Sequence, residues 1–181
     1  MTQRIALLRG INVGRAKRIA MADLRDLIED LGFFDVRTML NSGNALFRTA
    51  RRSNRRIAAD LEAAINERFG FEVPIVVVSG EELDLIVDED SLARNGGDPA
   101  RHLVAFLADG AALDKAEALL GETWEPEAIA LGSRAAYLWC PDGIIQSKLL
   151  KAFSRATGEA ATTRNWATVL KLQQAVAYPP R

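Results

Sequence analysis

The chain has little of what most catalytic and disulfide-built proteins rely on. Among 181 residues there is one cysteine, Cys140, and one histidine, His102. A single thiol excludes an internal disulfide framework and any zinc site made of cysteines. A single imidazole excludes a site needing two. No apolar run approaches the roughly 18 residues of a membrane span. The opening MTQRIALLRG lacks both the long apolar core and the small-residue cleavage site of a signal peptide. These absences lead to the expectation of a reduced, cytoplasmic protein with no membrane partner, no metal and no cofactor. What is present is a 49% hydrophobic composition, enough to bury a core and to exclude a disordered chain.

The net charge of −1 is unevenly placed. Residues 1–70 carry +5, residues 71–130 carry −11, and residues 131–181 carry +5. A uniformly basic nucleic-acid binder does not look like this, so a nucleic-acid partner is not expected. Two basic ends around an acidic middle could create a local anion site once folded. The plainer reading is a set of solvated or mutually docking surfaces.

Hydrophobic periodicity gives the plan. Ile5–Leu8 reads as a buried strand, and Met21, Leu24, Leu27, Ile28 and Leu31 recur at helical spacing up to Gly32. Val36–Leu40 and Ala45–Phe47 flank the turn cluster Asn41-Ser42-Gly43-Asn44 as a hairpin. A second helix runs from a Ser53 or Asn54 cap through Ile57, Leu61 and Ile65 to Gly70, and Pro74–Val78 is a fourth strand. The order is βαββαβ, the ferredoxin-like plan. After a short acidic helix near Glu81–Val87, the run Asn95-Gly96-Gly97-Asp98-Pro99 is the strongest break. The order then begins again: strand His102–Leu107, helix Ala112–Leu120, hairpin Ala128–Leu131 and Ala136–Trp139, and a helix turning out of Pro141-Asp142-Gly143 with Ile145, Leu149 and Phe153. It closes in a last helix capped by Thr162 or Thr163, without a clear final strand.

The expected fold is therefore α+β, with two tandem ferredoxin-like subdomains on antiparallel sheets, the second ending in an extra helix. The subdomains are placed at 1–80 and 101–181, with 81–100 an acidic helix and linker. Because Ile5–Leu8, Ile75–Val78 and Leu103–Leu107 barely alternate, both sheet faces are expected to be covered, by the other half or by a second copy in a homodimer.

Candidate chemistry lies in a few polar clusters. Gly10-Ile11-Asn12-Val13-Gly14 connects a strand to a helix, where backbone amides could hold an anion, and Arg9, Arg15, Lys17 and Arg18 surround it. It fits neither a Walker loop nor a dinucleotide fingerprint. Ser42, between Asn41 and Asn44, could present a hydroxyl, although turn chemistry accounts for it more simply. The loop after the first strand and this hairpin are expected at opposite ends of the sheet. Lys148, Lys151 and Arg155 share one helical face, and Trp166 beside Arg164 could stack on a ring. His102 reads as a buried or strand-edge residue, and Cys140 as inert, because no pattern supplies a base. Asp88-Glu89-Asp90 lacks the spacing of a calcium loop. The central strands of the first half offer only Phe47 as an aromatic, which argues against an RNA-recognition sheet.

Several of these blocks resemble a known family. Leu7-Leu8-Arg9-Gly10-Ile11-Asn12-Val13-Gly14, Met21-Ala22-Asp23-Leu24-Arg25 and Asn41-Ser42-Gly43-Asn44-Ala45-Leu46-Phe47 are similar to the bacterial domain-of-unknown-function 1697 family. So are Tyr137–Gly143 with Ser147-Lys148-Leu149, and Thr162-Thr163-Arg164-Asn165-Trp166 with Thr168-Val169. The resemblance implies paired ferredoxin-like subdomains and supplies no chemistry. Its polar motif positions are Arg9, Asn12, Ser42, Asn44, Lys148, Thr163, Arg164, Asn165 and Trp166. Arg15 and Ala20 stand where the family usually has a second glycine and a proline. Together these features favour a binding protein for a small anionic or nucleotide-like ligand, held by Arg9 or Arg164, oriented by Asn12 and Asn165 and walled by Trp166. The alternative is a structural or protein-interaction module dimerising through sheet faces. An enzyme would need Ser42, His102 or a carboxylate to converge on one cleft.

Overall fold

The computed structural model describes residues 1–93 and 97–178. Within it the chain divides into two compact units, Met1–Glu81 and Glu82–Arg181. Part of the glycine-rich break, Asn95-Gly96, lies outside the described residues.

In the first unit, β1 (Thr2–Leu8) is paired on both sides, with β3 (Asn44–Thr49) and β4 (Ile75–Ser79), and β2 (Phe34–Met39) borders β3. The order is β2-β3-β1-β4, antiparallel throughout. Alternate strand positions Ala6, Leu8, Ala45, Phe47, Ile75 and Val77 meet Leu24, Leu27 and Ile28 of α1 (Met21–Asp30) and Ile57, Leu61 and Ile65 of α2 (Asn54–Phe69). Side chains alternate across a strand, so both helices lie on one face. Helix α2 starts where Ser53 Oγ accepts from Arg56 N at 3.2 Å, and stops at Gly70 with φ 77°. The intervening positions Ile5, Leu7, Leu46, Val76 and Val78 are apolar and buried too, which is why the sequence shows so little alternation.

The second unit repeats the plan. It comprises α3 (Gly80–Asp88), which leads into it, then β5 (His102–Leu107), α4 (Gly110–Glu117), β6 (Ala128–Leu131), β7 (Ala135–Trp139), α5 (Lys148–Thr157), β8 (Ala161–Asn165) and α6 (Trp166–Ala177). The sheet order is β6-β7-β5-β8, again antiparallel. Helices α4 and α5 cover the face carrying Leu103, Ala105, Leu107, Ala136 and Leu138. The opposite face is covered within the same unit. There Tyr137 Oη donates to the carbonyl of Ile86 in α3 at 2.7 Å, and α6 packs on β5 and β8 with Val169 and Leu172 buried. Gln173 Nε2 joins α6 to α3 through Asp84 Oδ1 at 2.9 Å, and Arg134 pairs with Glu82 at 2.8 Å. The acidic segment is thus built into this unit by its side chains.

Two sequence expectations need correction. The second copy does have a fourth strand: β8 pairs with β5 from Leu103↔Asn165 to Leu107↔Ala161. Thr162 and Thr163 lie inside it, and the cap of α6 is Asn165, whose Oδ1 accepts from Thr168 N at 2.9 Å. The strand was hidden because Thr162-Thr163-Arg164-Asn165 is polar, and pairing, not hydrophobic pattern, holds it. Helix α5 also starts later than expected, at Lys148 with Ser147 as its cap, leaving Ile145 79% exposed in the preceding loop. No helix among the described residues is long and apolar enough to cross a membrane.

Candidate functional site

The β1–α1 connection is built around one amide. Ile11 and Ile19 are buried in the core and hold the two ends of the loop, while residues 13–18 are exposed. Between the anchors, Asn12 Oδ1 accepts from Ile19 N at 3.0 Å, and its Nδ2 donates to Ile19 O at 2.9 Å and to Asn41 O at 2.8 Å. Asn12 N also donates to Lys17 O at 3.0 Å. The backbone takes left-handed values at Gly10 (φ 71°), Asn12 (57°), Gly14 (64°) and Lys17 (50°). For asparagine and lysine this costs on the order of 1 kcal/mol or more, so the conformation persists because the surrounding bonds impose it. Lys17 Nζ is tied to Glu72 O at 2.8 Å and Arg18 to Gly14 O at 3.1 Å. Arg15 is exposed, and Arg9 is half-buried with its backbone N–H on Pro74 O at 2.9 Å.

The Asn12–Asn41 bond overturns the expectation that loop and hairpin lie at opposite ends. Because β1 and β3 run antiparallel, the end of β1 lies beside the start of β3: Leu7 is level with Asn44, and Leu8 N donates to Gly43 O at 2.9 Å. The contact is close enough to demand glycine. A Cβ at Gly43 would lie 2.7 Å from Ile11 Cδ1 and 2.8 Å from Leu8 Cβ, and φ there is +85°. Asn44 is fully buried, and its Nδ2 donates to Met39 O at 2.8 Å and to Ser42 Oγ at 3.1 Å. The structure therefore brings Asn12, Ser42 and Asn44 together with the basic loop, and engages Asn12 and Asn44 with the chain itself.

In the second unit Lys148 is an exposed first-turn residue of α5. Thr163 is half-buried in β8. Arg164 is buried, its Nη1 donating to Thr163 O at 2.8 Å, and burial pulls its guanidinium down to about 10. Asn165 serves as a helix cap. Trp166 stacks on His102 with centroids 5.1 Å apart and planes 9° apart. On the same imidazole, Nε2 lies 2.8 Å from Asp90 Oδ2 without completing an aligned hydrogen bond, while Asp90 Oδ1 accepts from Leu92 N and Ala93 N. Asp90 and His102, both buried, and the half-buried Trp166 form a cluster that sequence spacing could not reveal, because it joins the segment after α3, the start of β5 and the start of α6. Glu89 turns instead to Ser133 N and Oγ at 2.7 and 3.0 Å, so the acidic triplet does not converge. Among the described residues no group of three His, Cys, Asp or Glu side chains could hold a metal. Cys140 is buried beside Ser147, and burial, helped by Glu127, pushes its thiol up.

The sequence reading passed over one feature. Arg51, Arg52, Ser53, Arg56 and Asp60 line an open cleft of about 410 Å³ at the other end of the first sheet. Its signal was visible as the run Arg51-Arg52-Ser53-Asn54-Arg55-Arg56.

Among known proteins, the chain is similar to a solved structure described as that of the conserved bacterial protein SP0830 from Streptococcus pneumoniae. The similarity covers 97% of this chain and 98% of that one, with a TM-score of 0.75 and 24% identity, a likeness of fold. No protein of curated function matches it. The family model described as protein of unknown function (DUF1697) matches residues 1–137, so the chain belongs to that family.

Proposed function

We propose that the protein binds a small anionic or nucleotide-like ligand, and that in the first unit the β1–α1 loop with the β2–β3 turn is where it does so. The observation behind this reading is the loop itself: an exposed, cation-bearing segment held in a strained backbone by Asn12. A loop fixed before binding loses little freedom when an anion arrives. Arg9, Arg15 and Arg18 would supply charge-assisted contacts, Asn12 the frame, and Ser42 a hydroxyl supported by Asn44. In the second unit the same reading assigns Lys148 as the exposed cation and places Thr163, Arg164, Asn165 and Trp166 around the start of α6. The alternative, a protein-interaction module, draws on the exposed pair Ile144 and Ile145.

Thermal-shift titration with inorganic phosphate, pyrophosphate and nucleoside mono- to triphosphates tests the reading. At least one ligand should raise the melting temperature, and the double variant Arg15→Ala/Arg18→Ala should abolish that rise while leaving the ligand-free melting temperature unchanged. A flat response across the panel, or a rise that survives the double variant, overturns it.

A further inference from the structure

One side of the second unit is a layer of two helices with opposite charge. Helix α5 turns Leu149, Phe153 and Thr157 inward and leaves Lys148, Lys151 and Arg155 exposed on its other side. It contains no acidic residue; Asp142 and Glu159 lie before and after it. Helix α4 buries Ala112 and Ala116 and exposes Asp114 and Glu117, with Lys115 on the far side of the helix from Glu117. None of Asp114, Glu117, Lys148, Lys151 and Arg155 is in an ion pair among the described residues. Apolar side chains stand in water beside them. Leu120, in the 3-10 turn Ala118–Gly121 that continues α4, is exposed, as are Ile144 and Ile145 in the loop before α5.

Topology puts these groups in a matching order. Helix α4 joins the parallel strands β5 and β6, and α5 joins β7 to β8, both antiparallel to β5. The two helices therefore run in opposite directions, in contact on one sheet face. The end of α4 and the start of α5 share one end of that face, where Glu127 Oε2, just before β6, accepts from Leu149 N at 2.9 Å. Asp114, Glu117 and Leu120 approach that end in steps of three residues, and Ile145, Lys148 and Lys151 leave it in the same steps. Counted from the shared end, each group on one helix has its complement on the other: Leu120 with Ile145, Glu117 with Lys148, Asp114 with Lys151.

We infer that the protein forms a homodimer through this layer, with α4 of one copy on α5 of the other about a twofold axis parallel to the helices. Such an axis keeps the shared ends level, so the three complementary pairs form together and form twice, as an isologous contact requires. The apolar groups anchor the contact. The charges set its register, since exposed ion pairs contribute little affinity. Both faces of the second sheet already carry helices, so the contact is between helix layers and not between sheets. Both signs of charge lie side by side here, so a membrane or nucleic acid drawn to α5 would be repelled by α4. Helices of eight and ten residues are about 12 and 15 Å long. They offer an area at the small end of specific interfaces, which means a reversible, concentration-dependent dimer. The surface shares only Lys148 with the anion-binding reading above.

Sedimentation equilibrium over a wide range of concentration tests it, with mass as the readout instead of melting temperature. At low salt the wild-type chain should pass from monomer to dimer, and added salt should shift it back. Lys148→Glu/Lys151→Glu and Asp114→Lys/Glu117→Lys should each weaken self-association at least tenfold with the thermal melt unchanged, because each sets like charges opposite one another. Mixed in equal amounts, the two variants should dimerise again, since each then meets the complement of its own surface. Ile145→Ser should weaken the dimer and leave its salt dependence alone. Three outcomes would overturn the inference: a chain that is monomeric at every concentration, whether free or captured by phosphatidylglycerol vesicles; a dimer that either charge reversal leaves intact; or reversed variants that do not combine.

Discussion

Asn12, Ser42 and Asn44 illustrate how a polar residue can be read from sequence and still be ambiguous. An amide at a loop can satisfy the backbone or a ligand with the same two groups, and nothing in its neighbours says which. The fold engages both amides with the chain itself: Asn12 with Ile19 and Asn41, and Asn44 with Met39 and Ser42. Cys140 reads in sequence as an inert thiol, and the fold buries it. That burial has a consequence for alkaline stability. Cys140 and Tyr137 both have their ionisation pushed up in the folded chain, by burial first; the Ser147 hydrogen bond opposes this at the thiol while Glu127 adds to it, and Glu89 and Asp90 add to it at the phenol. Above their ordinary values of 9.0 and 10.0 the unfolded chain loses these protons before the native one. The unfolded state then holds fewer protons, so stability falls as pH rises. Arg164, lowered by burial to about 10, acts in the opposite sense only above that value. Between pH 9 and 10 the thiol is therefore the residue to watch. Urea unfolding should show stability declining across that interval in the wild type and declining less in Cys140→Ala. Identical pH slopes would contradict this account.

Elements were legible where a hydrophobic period ran unbroken, as in β1, β4, β5 and α2. They were not where pairing alone decides. Strand β8 has the sequence Ala161-Thr162-Thr163-Arg164-Asn165, whose threonines look like a helix cap because no apolar period runs through them. It is a strand because β5 offers a complete ladder of backbone groups along its open side. The misplaced cap has a direct test. If Asn165 starts α6, Asn165→Ala should cost about 1 kcal/mol in denaturant unfolding, the usual loss for an N-cap, with the m-value unchanged. Thr163→Ala, inside the strand, should not reproduce a cap's loss of α6 helicity. A Thr163→Ala effect larger than that of Asn165→Ala would return the cap to the threonines.

At the scale of the whole chain the duplicated plan was readable, since βαββαβ recurs twice even though the residues do not. What sequence could not convey is how differently the two copies are dressed. The second sheet carries α4 and α5 on one face and, from the same unit, α6 and residues 82–88 of α3 on the other. The acidic helix that looked like part of a connection is one of those covers, and only its contacts reveal it: Tyr137 Oη to Ile86 O, Arg134 to Glu82, Gln173 to Asp84. Within each unit, stability should follow ladder position. Native-state hydrogen exchange should be slowest in β1 and β5, which are paired on both sides, and faster in the edge strands β2 and β6. Equal protection of edge and centre would refute that ordering.

The framing of the first loop has a practical corollary. Residues 13–18 are slung between Ile11 and Ile19, and the Asn12 carboxamide closes them off, so apart from Lys17, which meets Asn12 N and Glu72 O, the outward stretch contributes little to holding the scaffold. A foreign hexapeptide spliced into those positions would inherit rigid ends, making this corner of the molecule a natural mount for grafted recognition sequences.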